Sequence, residues 1–539
     1  MTASPHPLPA AETGERSGAD VVVATLAAAG VDTCFVNPGT SELHFMAVLG
    51  RGGGLRSIPC LTESVATGAA DGHGRMAGKP AAVLLHCGPG LANGLANLHN
   101  ARRACTPVVV LVGDHATGHE TLDPPLASDA VALAHTVSKF VRRAADPASL
   151  AADVADAVAA SRSAPAGVAT LVVPSDLSWS AAACEPVSGV LPCPPRRTSA
   201  TALRQAVRIL RRGRAAIMLG GPALSGRCVE LAARIADNTG NRLIAAAQVS
   251  RVDRGRGRPA LPRLAYDVDE AAAMLDGAEA VLLFGTTAPV AFFALPGRRQ
   301  TPIPDGVRVL KTTAPDQDAE VALETLAHML ECNAYHLPAA GKPELPRDAR
   351  LDAAMLAHVL AAVLPAEAIV VDESVSLGRA VFNATASAAR HDWLQLTGGA
   401  IGSGIPMATG AAVAASGRSV ISLQADGAGL YTLQGLWTQA REKLPVTTIV
   451  LSNRSYAILL AEARRMGIDA AGALGEACRL DDPPVGWPAL AAGFGVPAAT
   501  AGTVAELARH LRASSDRAGP FLIEADFTQS SRSNGAVNP

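Results

Sequence analysis

The chain has 539 residues, of which 49% are hydrophobic and 17% charged, and its net charge is −2. No overall basic field attracts nucleic acid, and 10 Phe, 4 Tyr and 4 Trp leave few rings for stacking on bases, so we expect no nucleic-acid partner. No apolar run reaches the roughly 18 residues of a membrane helix, and nine singly scattered Cys predict a reduced, cytoplasmic protein without a zinc site.

Strand and helix signals alternate along the first third of the chain. A helix is predicted over Ala19–Ala29 and a strand over Thr33–Val36. Two further strands, Ala82–His86 and Val108–Val112, flank a predicted helix over Leu91–Ala104. Continuous Val and Leu runs separated by helices are typical of a parallel sheet covered on both faces.

The same alternation recurs twice further along. The second block contains a predicted helix at Arg227–Thr239 and strands at Ala215–Leu219, Ala280–Phe284 and Val307–Lys311. The third contains predicted helices at Ala353–Val363 and Leu430–Glu442 and strands at Ile369–Asp372, Val420–Gln424 and Thr447–Leu451. The fold class is therefore α/β, with three consecutive doubly wound parallel-sheet domains.

Proline-rich breaks suggest where the domains end. The predicted divisions are a disordered tail at 1–17, a first domain at 18–183, a linker at 184–200, a central domain at 201–336, a linker at 337–350, a third domain at 351–530 and a tail at 531–539.

Two polar residues each follow a predicted strand of the third block. If those strands are neighbours, Asp426 and Asn453 emerge at one edge of the sheet, where ligands bind. With a nearby backbone carbonyl, for which Ser455 is the candidate, their oxygens suit Mg²⁺. Gly427 lets the backbone approach a phosphate, and the next helix N-terminus attracts its charge. The alternative is that Asp426-Gly427 and Asn453 are ordinary turn residues.

The spacing of these residues resembles the motif of thiamine diphosphate enzymes. Asp426-Gly427 is followed after 25 residues by Asn453, with Ala425 in place of the motif's first Gly. In the first block, Glu63 followed by Gly68-Ala69-Ala70-Asp71-Gly72 resembles the glutamate motif of the same family. The resemblance implies that Glu63 binds N1′ of the cofactor's pyrimidine ring. Taken alone, Glu63 would be an ordinary glutamate in the first turn of a helix.

The resemblance is nearest to the benzoylformate decarboxylase and acetolactate synthase-like branch. Asn37-Pro38-Gly39-Thr40-Ser41-Glu42-Leu43 resembles a decarboxylase segment in which Thr40 falls at a hydroxyl that contacts the substrate carboxylate. Gly39 would lie against the cofactor. His86 falls at a catalytic histidine and would transfer a proton. The alternative for His86 is a satisfied histidine at a strand end.

The third block carries the remaining residues that the resemblance assigns to the cofactor. The Gly399 carbonyl would accept from the 4′-amine, Ile401 would wedge between the two rings, and Ser376 would donate a hydroxyl to the diphosphate. The contacts would be completed by Gly427, Ala428 and Tyr456. The first and third domains are accordingly the pyrimidine-binding and diphosphate-binding domains.

Two departures from the family concern the substrate pocket. Ala294 falls where the decarboxylase has a second histidine, so the second proton relay is absent, and Phe292 and Phe293 lie beside it. Ile458 and Leu459 fit an apolar wall. Glu462 falls where a relative has an aromatic ring; it either contacts a polar substrate or faces solvent, and the solvent-facing position is favoured.

The resemblance implies an enzyme that uses thiamine diphosphate and Mg²⁺ to decarboxylate a 2-oxo acid. The enolamine is then protonated or transferred to an aldehyde or ketone, and the missing histidine favours this carboligation. One alternative is an acetolactate synthase with FAD, but Gly220-Gly221-Pro222 lacks a dinucleotide fingerprint and we expect no FAD. The other is a non-catalytic binding subunit. The family also implies a homodimer or homotetramer with active sites between subunits.

Overall fold

The computed structural model describes residues 16–335, 337, 341–515 and 517–528. The chain forms two compact units, of which one ends at Pro194 and the other begins at Pro195. In the described part of the chain, no helix is long and apolar enough to cross a bilayer. All nine cysteines are free thiols. The predicted tails fall largely outside the described residues, and the division into three domains stays a prediction.

The first unit contains a six-stranded parallel sheet with the order β2-β1-β3-β4-β6-β5. Its strands are β1 (Thr33–Asn37), β2 (Arg56–Pro59), β3 (Ala81–His86), β4 (Val108–Asp114), β5 (Phe140–Arg143) and β6 (Val168–Pro174). Its helices are Gly18–Ala28, Leu43–Gly50, Glu63–Ala77, Cys87–Ala104, Thr117–Glu120, Ala130–His135, Leu150–Arg162 and Ser175–Trp179. β2 lies on one side of β1 and β3 lies on the other, so the order in which strands are added to the sheet reverses at β1. Such a reversal opens a crevice at the carboxyl ends of β1 and β3.

The second unit contains two sheets. Its strands are β7 (Ala215–Leu219), β8 (Arg242–Ala245), β9 (Val252–Arg254), β10 (Ala280–Phe284), β11 (Arg308–Thr313), β12 (Ala368–Glu373), β13 (His391–Gln395), β14 (Val420–Ala425), β15 (Val446–Ser452), β16 (Ala498–Ala501) and β17 (Phe521–Asp526). One sheet has the order β11-β10-β7-β8 and the other β16-β17-β15-β14-β12-β13-β9. The reversal between β12 and β14 opens a second crevice.

The parallel α/β architecture is confirmed, and β9 is the exception. This strand, which comes from the middle of the chain, pairs antiparallel with β13. Its Arg254 is buried, lies 3.7 Å from the centre of the Phe382 ring and donates to the Thr385 hydroxyl. One continuous apolar core runs through both sheets of this unit, so the two sheets share their interior.

One predicted helix of the second unit differs from the structure. The helices of this unit are Ala200–Leu210, Gly226–Thr239, Val268–Met274, Ala319–Met329, Ala353–Val363, Val381–Ala384, Gly404–Ala414, Asp426–Gly429, Gly435–Arg441, Ala457–Arg465, Ala473–Ala477, Trp487–Gly493 and Val504–Ser515. The predicted continuous helix over Leu430–Glu442 is wrong. The chain turns between two shorter helices, and there the Thr432 hydroxyl donates to the Gly402 carbonyl at 2.9 Å.

A buried carboxylate joins β12, β14 and the helix Gly404–Ala414. Glu373 accepts from the backbone N–H groups of Gly402 and Ser403 on one oxygen. Its other oxygen accepts from the Gly404 N–H at 2.8 Å and from the Gln424 amide at 2.9 Å. Burial raises the pKa of Glu373, while these donors favour the charged form. The Glu373 side chain thus accepts hydrogen bonds from N–H groups at the N-terminus of this helix, which have no partner within the helix, and it fixes the loop that precedes the helix.

We expect Glu373→Ala to destabilise the second unit by about 3 kcal/mol, because it leaves three backbone donors and one amide buried without an acceptor. Amide hydrogen exchange at Gly402–Gly404 should accelerate at the same time, since the loop loses its anchor. Urea unfolding and hydrogen exchange measure both effects. Glu367→Ala, at a side chain that is 56% exposed, is the control and should change stability by less than about 0.5 kcal/mol. Unchanged exchange in Glu373→Ala would contradict this account.

Candidate active site

In the first unit, the crevice between β1 and β3 brings together Gly39 and His86. A Cβ on Gly39 would lie 2.4 Å from the His86 ring, so only glycine lets the turn after β1 approach the imidazole this closely. His86 is the last residue of β3 and its side chain is 26% exposed. The sequence placed both residues in the site, and the structure brings them into contact.

A buried glutamate holds this histidine. Glu42 is fully buried, and one of its oxygens lies 2.9 Å from His86 Nδ1 and accepts from the Gly39 N–H at 2.7 Å. Its other oxygen accepts from the Ser41 hydroxyl at 2.6 Å. A Cβ on Gly113 would lie 1.8 Å from that oxygen, so the neighbouring strand β4 leaves the carboxylate no room to move.

This arrangement decides which nitrogen of His86 can act. A carboxylate only accepts, so the contact with Glu42 favours the tautomer with the proton on Nδ1. Nε2 then stays free to take a proton, and it donates one when the imidazole is charged. His86 is therefore held in one orientation by the contacts at Nδ1.

Glu63 lies close to the same histidine. It is the first residue of the helix Glu63–Ala77, and its carboxylate accepts from the Asn93 amide at 3.2 Å. A Cβ on Gly90 would lie 3.2 Å from Glu63 Oε1 and 3.5 Å from the His86 Cβ. Glu63 and His86 therefore flank Gly90 at the start of the helix Cys87–Ala104. Glu63 is only partly buried, so its carboxyl remains accessible to a ligand.

Three neighbours of His86 were not singled out from the sequence. Ser41 lies 2.9 Å from His86 Nδ1, whereas Thr40, the predicted hydroxyl residue, is exposed and makes no such contact. Cys87 follows His86 with a left-handed backbone (φ 51°), and burial raises the pKa of its thiol to about 11. Glu42 could have been identified from its spacing, because a Glu three residues after the residue that begins a helical turn often accepts a hydrogen bond from that residue's N–H, here Gly39.

In the second unit, Asp426 and Asn453 follow neighbouring parallel strands, as the sequence required. β14 and β15 pair in register, with Ala425 opposite Leu451. Asp426 accepts from the N–H groups of Gly427 at 2.8 Å and Arg454 at 2.6 Å. The Asn453 side-chain oxygen accepts from the Ser455 N–H at 3.0 Å. The interpretation of these residues as isolated turns is therefore insufficient, because both turns meet at one edge.

The electrostatics of this edge fit a divalent cation. Asp426 is buried, and burial raises its pKa to about 6. In the described residues, no Lys, Arg or His forms an ion pair with Asp426, and the buried Ser455 hydroxyl has no hydrogen-bond partner. A buried carboxylate without a cation is costly unless a charge compensates it. These oxygens are of the hard type that Mg²⁺ prefers.

Two turns with close packing or an unusual backbone lie near Asp426 and Ser376. A Cβ on Gly427 would lie 2.4 Å from the Tyr456 ring, so the ring covers the turn that follows β14. Ala428, the next residue, is buried in the short helix Asp426–Gly429. Ser376 is half-buried in the loop after β12, directly after Val375, whose backbone is left-handed (φ 51°). A β-branched residue rarely adopts that conformation, and such strain is found where backbone geometry serves a ligand.

The loop anchored by Glu373 carries Gly399 and Ile401. Gly399 has a left-handed backbone (φ 81°), and a Cβ there would lie 2.5 Å from the tip of the Phe292 ring. Ile401 is half-buried. The structure thus places Phe292 against the residue predicted to bind the 4′-amine of the cofactor.

Phe292, Phe293 and Glu462 line one cavity, as predicted for a shared pocket, whereas Ile458 and Leu459 are absent from the described residues that line it. The solvent-facing interpretation of Glu462 is wrong. Its side chain is 16% exposed and accepts from Arg465 at 2.9 Å, because the two lie three residues apart on one helix.

The glycine turn in the middle of the chain serves packing. A Cβ on Gly285 would lie 2.6 Å from the Gly220 carbonyl oxygen, and a Cβ on Gly221 would lie 2.8 Å from the Gly285 oxygen. The turns after β7 and β10 therefore meet backbone to backbone.

Comparisons with known proteins agree with this geometry. Residues 16–133 match "Thiamine pyrophosphate enzyme, N-terminal TPP binding domain", and residues 378–525 match "Thiamine pyrophosphate enzyme, C-terminal TPP binding domain". The chain is 45% identical over 513 residues to a Mycobacterium tuberculosis protein named "Putative acetolactate synthase large subunit IlvX", covering 94% of this chain and 98% of that one.

Two further relatives are decarboxylases by name. The chain is 28% identical over 526 residues to benzoylformate decarboxylase of Pseudomonas aeruginosa, covering 92% of this chain and 96% of the relative. The solved thiamine diphosphate-dependent 4-hydroxybenzoylformate decarboxylase of Rhodococcus jostii RHA1 shares the fold, with a TM-score of 0.80, 24% identity and coverage of 94% and 98%. Together with the 45% identical relative, these matches show that the chain belongs to the thiamine pyrophosphate enzyme family.

Proposed function

We propose that this protein is a thiamine diphosphate- and Mg²⁺-dependent enzyme that removes CO₂ from a 2-oxo acid. The observation that carries the proposal is the buried Asp426, whose charge has no cationic partner among the described residues and which adjoins Asn453 on the neighbouring strand. The decarboxylase names of two relatives support the reaction class. Thiamine diphosphate, when bound, supplies a carbon nucleophile for the keto group and accepts the electron pair that CO₂ leaves behind.

Different residues of the chain would bind the cofactor, bind the substrate and transfer the proton. Asp426, Asn453 and the backbone of Ser455 would hold the metal, and Ser376 and Gly427 would receive the diphosphate. Glu63 would hold N1′ of the pyrimidine ring, and the Gly399 carbonyl its 4′-amine. Thr40 would contact the substrate carboxylate.

His86 would give or take the proton at the substrate through Nε2, since Glu42 occupies Nδ1. Ala294 supplies no second titratable group on the opposite segment. Slow protonation leaves time for an aldehyde or ketone acceptor, so we propose carboligation as the preferred outcome.

Two alternatives make different predictions. An acetolactate synthase proper would carry FAD, whose absorbance would be visible on the purified protein. A non-catalytic binding subunit would bind thiamine diphosphate without releasing CO₂ from any 2-oxo acid. The presence of both Glu63 and Asp426 in the chain favours the enzyme.

We expect Glu63→Gln to lower CO₂ release from the best 2-oxo acid at least about 100-fold, because the amide holds N1′ without supplying an acid. A screen of 2-oxo acids with and without aldehyde acceptors, analysed by mass spectrometry, identifies the substrate first. Glu185→Gln is the control, since that side chain is 82% exposed. Equal CO₂ release by Glu63→Gln and wild type would refute the catalytic role of Glu63.

The affinity for Mg²⁺ should depend on pH through Asp426. Because the pKa of Asp426 is raised to about 6, the carboxyl is protonated below that pH and must lose its proton before it binds a cation. The dissociation constant for Mg²⁺, measured with saturating thiamine diphosphate, should rise by about tenfold per pH unit below pH 6 and stay constant above pH 7. Asp426→Asn should bind weakly at every pH. A flat profile for wild type would contradict the assignment.

Assembly is also part of the proposal. We infer that Glu63 of one copy serves the same cofactor as Asp426 of another, in a homodimer or homotetramer. Coexpressing Glu63→Gln with Asp426→Asn chains should then restore about a quarter of the wild-type activity, because half of the dimers are mixed and each has one intact site. No restoration, or a fully active monomer in sedimentation, would overturn this inference.

A further inference from the structure

The cavity that Phe292 borders contains an unusual set of charges. It is a half-open cavity of about 40 Å³, lined by Phe292, Phe293, Arg298, Arg299 and Arg465 among others. The Phe292 ring separates it from Gly399, which the proposed function places at the cofactor. A substrate whose reacting end lies at Gly399 reaches this cavity only if the half-exposed Phe292 ring turns aside.

Both carboxylates that line the cavity are already engaged. Asp267 lies 3.3 Å from Arg465 and also accepts from the N-terminal N–H groups of the helix Val268–Met274. Glu462 lies 2.9 Å from the same Arg465. Arg465 thus forms ion pairs with both carboxylates. Burial opposes the ionisation of Asp267, but Arg298 contributes a longer-range charge that also lowers the pKa of Asp267.

The other two arginines of the lining share a single carboxylate. Arg298 forms an ion pair with Asp269, and Arg299 Nε lies 3.5 Å from the second oxygen of the same side chain. In the described residues, no other carboxylate lies within ion-pair distance of Arg298 or Arg299. Two guanidinium groups beside the aromatic rings of Phe292 and Phe293 therefore retain donors for another anion.

We propose that Arg298 and Arg299 bind a second carboxylate at the distal end of the substrate, so that the enzyme prefers dicarboxylic 2-oxo acids. Guanidinium groups recognise carboxylates through paired N–H donors. This inference rests on the proposed function only for the placement of the keto group near Gly399. Arg298 and Arg299 are specificity-determining residues and take no part in proton transfer.

The test compares substrates that differ only in the distal carboxylate: 2-oxoglutarate with 2-oxopentanoate, and 2-oxoadipate with 2-oxohexanoate. For the enzyme loaded with thiamine diphosphate and Mg²⁺, calorimetry gives the dissociation constants and CO₂ release gives kcat/KM. The wild type should prefer the dicarboxylic acid of at least one pair by about tenfold or more. The double variant Arg298→Gln with Arg299→Gln should lower that ratio about tenfold, the loss falling on the dicarboxylic acid.

Two further variants separate charge recognition from structure. Lysine at both positions keeps the charge and should retain most of the preference, with a loss of about threefold. Arg204→Gln with Arg308→Gln removes the same charge from two exposed residues that do not line the cavity, and should leave the ratio unchanged.

The outcomes are distinguishable from failure of the proposed function. A binding preference that disappears in the glutamine variant supports the inference even if no 2-oxo acid loses CO₂, a result that would refute the proposed function alone. A wild type without preference, or a glutamine variant that keeps it, overturns the inference. A glutamine variant that weakens thiamine diphosphate binding and leaves the substrate ratio unchanged would also overturn the inference, because the arginines would then bind the cofactor.

Discussion

In each unit, a buried glutamate holds the end of a strand to the turn beside it, and the candidate functional residues of that unit depend on this interaction. In the second unit, Glu373 fixes the loop of Gly399 and Ile401 through backbone donors at Gly402–Gly404. In the first unit, Glu42 fixes His86 and the turn at Gly39. Each carboxylate lies where the strand order of its sheet reverses. Its buried negative charge is stabilised by backbone N–H groups that would otherwise lack a hydrogen-bond acceptor.

The two units use similar sheets for different chemistry. The crevice of the first unit brings together Glu63 and His86, which we propose as the groups for cofactor activation and proton transfer. The crevice of the second unit brings together the oxygens of Asp426 and Asn453, which we propose as metal ligands. Parallel sheets bring the carboxyl ends of several strands to one edge, and this lets residues that are far apart in the chain converge there. Each sheet thereby presents a group of polar residues at one edge, and we propose that the cofactor contacts residues of both groups.

Much of the fold and the main site residues could be predicted because they depend on local pattern and spacing. The strands Ala215–Leu219 and Ala280–Phe284 are continuous apolar runs, and their observed bounds match the predicted ones. The continuous helix over Leu430–Glu442 failed because a long-range bond from Thr432 to Gly402 bends the chain. Glu462 pairs with Arg465 three residues further along the same helix, and Arg465 also lies 3.3 Å from Asp267 at the N-terminus of another helix. The local spacing is visible in the sequence, whereas the position of Asp267 beside this pair is a tertiary contact that the sequence does not show.

The sequence by itself determined the α/β class and identified the two motifs that indicated the family. Those features depend on residue types at fixed spacing along the chain. Only the tertiary structure decided which nitrogen of His86 is free, because Glu42 and Ser41 reach it across the crevice between β1 and β3. It also decided that Arg298 and Arg299 share one carboxylate, since an ion pair depends on distances in space. Charge composition counts these groups, and folding determines which of them remain available to a ligand.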